Sequence, residues 1–118
     1  MRKRILVLDD DASMLKAIER VLKAHGFKAE VFDTVEGFLH GAHFDDAYCL
    51  ILDINLRGDC GIELRRKLAR GGVSAPVIFI TAVDNKATKE AALRAGCVAY
   101  LTKPFPSRDL IDAIEQVA

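Results

Sequence analysis

The chain has 118 residues, enough for one domain with a buried core and too few for two. Its charges balance to a formal net charge of zero, so it lacks the electrostatic footprint of a nucleic-acid or anionic-membrane binder. Three cysteines, Cys49, Cys60 and Cys97, form an odd set without CxxC or metal spacing; they predict free thiols in a cytoplasmic protein.

Met1-Arg2-Lys3-Arg4 has the charge of a signal-peptide start, but the apolar run behind it, Ile5 to Leu8, ends at once in Asp9-Asp10-Asp11. A signal peptide needs roughly 7–15 apolar residues there. No later stretch approaches the ~18 apolar residues of a membrane span, so no membrane association is expected.

Ile5-Leu6-Val7-Leu8 reads as a strand buried on both faces. Met14, Leu15, Ile18, Val21 and Leu22 share one face of a helix that Asp11 or Ser13 can cap and Gly26 can end. Ala29 to Phe32 is a weaker strand, and Thr34 can open a short helix over Val35, Phe38 and Leu39. Tyr48 to Leu52 predicts the central strand, followed by a helix marked by Leu64 and Leu68 and stopped at Gly71-Gly72. Arg65, Arg66, Lys67 and Arg70 give that helix a basic outer face; in a neutral chain this reads as a solvated surface.

Pro76 introduces the fourth strand, Val77 to Ile80. Asp84 can cap an Ala-rich helix running to about Ala95, with Gly96 as its stop. Val98 to Thr102 is the fifth strand. Ser107 is expected to cap a last helix striped by Leu110, Ile111, Ile114 and Val117. The chain stops at the end of that helix, as a self-contained module or an excised domain would. Five strand–helix units joined by short connections predict an α/β fold, a doubly wound and mostly parallel sheet with helices on both faces.

Ligands of such sheets bind outside the carboxyl ends of the strands. Asp9-Asp10-Asp11, Asp33, Asp53, Thr81 and Lys103 fall there. Carboxylates gathered so closely beside an apolar core need a cation, and oxygen ligands without His or Cys favour Mg²⁺ or Mn²⁺. Each residue also has a plainer reading. Asp9, Asp10 and Asp11 could simply complement a helix dipole, Thr81 could be a strand-end hydroxyl, Lys103 a surface lysine, and Tyr100 a packed aromatic. The ordered set behind Asp53 favours a site. His25, His40 and His43 fall in helix-end or loop contexts away from the acidic edge and read as surface residues.

Ile5-Leu-Val-Leu-Asp-Asp-Asp, Leu52-Asp53-Ile54-Asn55, Ile80-Thr81-Ala82 and Tyr100-Leu101-Thr102-Lys103-Pro104-Phe105 follow one another in order over essentially the whole chain. In this the sequence resembles the receiver domains of two-component response regulators. It is most similar to those ahead of helix-turn-helix outputs in the nitrogen-fixation regulator group. The resemblance implies one receiver domain over residues 1–118, with a flavodoxin-like five-stranded parallel sheet in the order 2-1-3-4-5. It implies a phosphorylation-activated switch rather than an enzyme, with a sensor histidine kinase as phosphodonor and Asp53 as phosphoacceptor. Asp10, Asp53 and the Asn55 backbone carbonyl would hold Mg²⁺, with Asp9 acting through a water. Lys103, Thr81 and the Ala82 amide would bind the phosphoryl group, and Tyr100 would turn inward with the Thr81 loop. The signal would leave through the face formed by the fourth helix, fifth strand and fifth helix. Its receiver would be an output domain, DNA-binding in the subgroup resembled, a downstream protein, or a second copy in a phosphorylation-dependent homodimer. The domain itself would not bind nucleic acid.

Two alternatives stand beside this reading. A small Mg-dependent phosphatase or phosphotransferase of the haloacid dehalogenase type also uses Asp, Thr and Lys, but it places a second Asp where this chain has Asn55. A phosphate-independent, receiver-like binding module would usually have lost part of the set. One departure is clear: receivers usually carry Pro-Gly after the acceptor, whereas this chain has Leu56-Arg57-Gly58. The resemblance also implies a cis bond between Lys103 and Pro104.

Overall fold

The computed structural model describes residues 3–117; Met1 and Arg2 of the basic start, and Ala118, lie outside the described residues. Five parallel strands are β1 (Arg4–Leu8), β2 (Lys28–Phe32), β3 (Ala47–Asp53), β4 (Val77–Thr81) and β5 (Ala99–Thr102). They pair in the order β2-β1-β3-β4-β5, so the central strand is the one that ends in Asp53. The helices are α1 (Ala12–Ala24), α2 (Val35–Gly41), α3 (Gly61–Arg70), α4 (Lys86–Arg94) and α5 (Ser107–Glu115). None of them is long and apolar enough to cross a membrane.

Alternation along the strands builds two cores. Leu6, Leu8, Leu50, Leu52, Val77 and Phe79 face one side, where Phe38 of α2, Leu64 and Leu68 of α3, and Ala92 of α4 cover them. Ile5, Val7, Cys49, Ile51, Ile78 and Ile80 face the other, under Leu15, Ile18 and Leu22 of α1 and Leu110 and Ile114 of α5. Strands covered on both faces have no polar side to show. Hence their sequences are continuous apolar runs rather than alternating ones.

Side chains cap three of the five helices, α1, α2 and α4, with two corrections to the sequence reading. Asp11, not Ser13, caps α1 and accepts from the amides of Ser13 and Met14 at 2.9 and 3.3 Å. Thr34 caps α2 as expected. Asn85 rather than Asp84 caps α4, accepting from the Thr88 amide at 2.8 Å. Ser107 is already helical, and Pro106 stands at the N-cap of α5 with no side-chain bond. Pro106 is extended there, and its ring holds φ at a value compatible with helix entry.

Two pieces had no counterpart in the sequence reading. A single 3₁₀ turn, Phe44–Asp46, precedes β3. A small antiparallel ribbon pairs Asn55–Leu56 with Asp59–Cys60, turning through Arg57 and Gly58. Gly58 has φ +72°, which an L side chain rarely adopts. All three cysteines are free, with Cys49 buried and Cys60 exposed; burial pushes the Cys49 thiol up to about 12.

Candidate functional site

Asp9 and Asp53 stand at or just beyond the carboxyl ends of the neighbouring strands β1 and β3, and both are buried. The strand register places Leu8 beside Leu52, so the residues that follow lie next to one another. Asp10, half-buried, completes a group of three residues, each offering one carboxylate oxygen within 4.8 Å of the other two. Asp11 and Asp33 do not join that group: Asp11 is occupied with capping α1, and Asp33 is exposed at the end of β2.

Lys103 crosses from beyond β5 to neutralise part of this charge. Its Nζ donates to Asp9 Oδ2 at 2.7 Å and to Asp53 Oδ2 at 3.2 Å. The Lys103–Pro104 bond is cis. The Lys103 amide donates to the Thr81 carbonyl at 2.7 Å, which carries the β4–β5 ladder one residue past its end. Among the backbone donors, the Asp11 amide serves Asp9 Oδ1 at 2.9 Å and the Asn55 amide serves Asp53 Oδ1 at 3.1 Å.

These partners do not fully compensate Asp53. Burial and the charge of Asp9 push its carboxyl up from 3.8 to about 6, against the opposing pull of Lys103 and the Asn55 amide. For Lys103, burial favours the neutral amine, but its hydrogen bonds and charge interactions with Asp9 and Asp53 prevail and raise its pKa. The site is therefore held together by one cation shared between two buried carboxylates, with net negative charge to spare. An all-oxygen cluster of that charge fits Mg²⁺ or Mn²⁺.

Thr81, at the end of β4, is fully buried. Its Oγ1 accepts from Asn55 Nδ2 at 2.8 Å and from the Val83 amide at 3.1 Å, and it donates to the Val83 carbonyl at 3.3 Å. The Tyr100 hydroxyl donates to the same carbonyl at 3.4 Å, while Tyr100 packs against the core beneath α4. Ala82 follows Thr81 and is exposed. Asn55 thus links the two halves of the site, its backbone to Asp53 and its side chain to Thr81.

All the expected site residues lie at this edge of the sheet. One participant escaped the sequence reading. Gly61, the first residue of α3, abuts the end of β3 so closely that a Cβ there would collide with the Asp53 carbonyl oxygen. Its amide donates to the Ile54 carbonyl at 2.8 Å. The one available signal was a glycine at a helix start, where no special φ demands it. The three histidines are exposed and away from the acidic edge; His43 pairs instead with Glu30 at 2.8 Å. Of the basic residues of α3, Arg66, Lys67 and Arg70 are exposed, whereas Arg65 is half-buried.

Known proteins similar to this chain are numerous. The chain is 33% identical over 93% of its length to the response regulator protein TmoT of Ectopseudomonas mendocina, of which the match covers 50%. The structure of the response regulator StyR is 35% identical with a TM-score of 0.88, over 98% of this chain and 59% of that one. The crystal structure of FixJ-N is 27% identical with a TM-score of 0.86, over 99% of this chain and 94% of that one. The chain spans about half the length of the curated relatives it matches. The family model of the response regulator receiver domain matches residues 5–115, nearly everything described above, and the chain belongs to that family.

Proposed function

We propose that this domain is a phosphorylation-activated switch whose phosphoacceptor is Asp53. The observation that carries the reading is the Asp53 carboxylate, buried beside Asp9 and Asp10 and bridged to Asp9 by the Lys103 ammonium. An Oδ oxygen of Asp53 attacks the phosphorus of a phosphohistidine on a sensor kinase. The P–N bond breaks, and its electron pair leaves with the imidazole while an acyl phosphate forms on Asp53.

Mg²⁺, held by Asp10, Asp53 and the Asn55 carbonyl and by Asp9 through a water, would screen the repulsion between the anionic acceptor and donor. Lys103 then exchanges Asp53 for a phosphoryl oxygen, as a point charge on a flexible stem can. Thr81 turns its hydroxyl hydrogen from the Val83 carbonyl to a second phosphoryl oxygen, and the Ala82 amide supplies another donor. Release of that carbonyl frees the backbone after Thr81 to move, and Tyr100, whose hydroxyl also donates to it, turns with that segment. The change spreads to the face of α4, β5 and α5, where an output domain, a downstream protein or a second copy reads it. Histidine kinases and transcriptional outputs place such a switch in the cytoplasm.

A haloacid-dehalogenase type of phosphatase is disfavoured by Asn55. Its carboxamide cannot serve as the general acid, and it is engaged with Thr81. Intact-mass measurement after incubation with acetyl phosphate and Mg²⁺ tests the proposal. One added phosphoryl group is expected on the wild type, and none with Asp53→Asn or with chelator. No adduct, together with no beryllofluoride complex, would leave a phosphate-independent module.

A further inference from the structure

The ribbon after β3 sets a cation against the acidic cluster. Leu56 and Asp59 pair across it, Leu56 is buried, and Gly58 turns at φ +72°. Arg57 is thereby held at the tip, beside the mouth of the site. Its Nε lies 3.9 Å from Asp10 Oδ2; the Arg57 side chain is 91% exposed and that of Asp10 25% exposed. Both border a cleft of about 300 Å³ that Asp33, Glu36 and Asp59 also line, and among the described residues Arg57 is the one basic residue lining it. Lys103 serves Asp9 and Asp53, which leaves Arg57 as the cation placed against Asp10.

We propose that Arg57 is a tethered counter-cation that competes with Mg²⁺ for Asp10 and so sets the metal concentration at which the site loads. The inference rests on the Mg²⁺ reading above. Mg²⁺ binding draws on the same Asp10 carboxylate that Arg57 approaches, so the guanidinium gives way into solvent as the ion arrives. Its exposure makes withdrawal easy and makes the competition weak and sensitive to salt. The positive charge also subtracts from the attraction that four acidic residues lining the cleft exert on a divalent ion.

The test is titration of the metal-free chain with MgCl₂, followed by amide chemical shifts, for wild type, Arg57→Gln and Arg57→Lys at low and high salt. At low salt Arg57→Gln is expected to bind Mg²⁺ about two- to fivefold more tightly, the range that exposed ion pairs support. Arg57→Lys should stay with wild type, and the difference should shrink at high salt. Equal or weaker binding by Arg57→Gln at low salt overturns the proposal, as does a gain that salt leaves unchanged. Wild type that binds no Mg²⁺ at all would instead remove the metal reading, and this inference with it.

Discussion

Asp53 holds its proton more tightly in the folded chain than in the unfolded one, because its carboxyl is raised from 3.8 to about 6 by burial and by Asp9. The sign of the consequence follows from linkage. Below the unfolded value both states are protonated; as pH rises from about 4 through 6 the unfolded chain gives up its proton first, so stability falls across that window. Asp53→Asn cannot ionise and escapes the loss. Without metal, it is expected to exceed wild type in urea stability by on the order of 2 kcal/mol at neutral pH. The gap should close as pH falls towards 4. A gap independent of pH would show that ionisation is not its cause. Residues of this kind were legible in the sequence, because a carboxylate after an apolar strand advertises both burial and charge. Gly61 was not, because what it supplies is the absence of an atom.

The β3–α3 junction depends on that absence. Gly61→Ala must move either the first turn of α3 or the end of β3, since the obstruction is the Asp53 backbone and not a flexible side chain. A loss of about 1–3 kcal/mol is expected on urea unfolding, the usual range for forced overpacking, together with shifted amide resonances at Asp53 and Ile54. The α4 cap offers a cleaner comparison. Asn85→Ala should cost about 1 kcal/mol and Asp84→Ala much less, because Asn85 makes the bond to the Thr88 amide. A larger loss with Asp84→Ala than with Asn85→Ala would restore the assignment made from sequence. That assignment missed by one residue because Asp and Asn are nearly equal as caps, and only the backbone decides which of two neighbours turns extended. The ribbon at Asn55–Cys60 was hidden for a related reason. Two residues per strand carry no periodicity, and Arg57-Gly58 is a weaker turn signal than Asn-Gly or Asp-Gly. Most of the sheet strands and helices, by contrast, announced themselves through continuous apolar runs and amphipathic stripes, with β2 the weakest strand signal and α4 legible by its alanines.

At the scale of the molecule, the two cores meet only through the sheet, and the site sits across its upper rim. By alternation from Val7, Ile51 and Leu101, the residues Asp9, Asp53 and Lys103 stand towards the α1–α5 side, whereas Thr81 continues Val77 and Phe79, and Tyr100 packs, on the α4 side. Beryllofluoride with Mg²⁺ is therefore expected to shift amides on both sides, reaching Tyr100 and the first turn of α4. With Thr81→Ala the complex should form more weakly and its shifts should fade on the α4 side first. Shifts confined to Asp9, Asp53 and Lys103 in the wild type would contradict the proposed route. The same partition has a consequence for divergence. Groups that make and break a covalent bond tolerate little change, whereas groups that report it can be retuned for each listener. Because Thr81 and Tyr100 stand on the side opposite Asp9, Asp53 and Lys103, a lineage can retune that reporting pair while leaving the carboxylates and the lysine as they are.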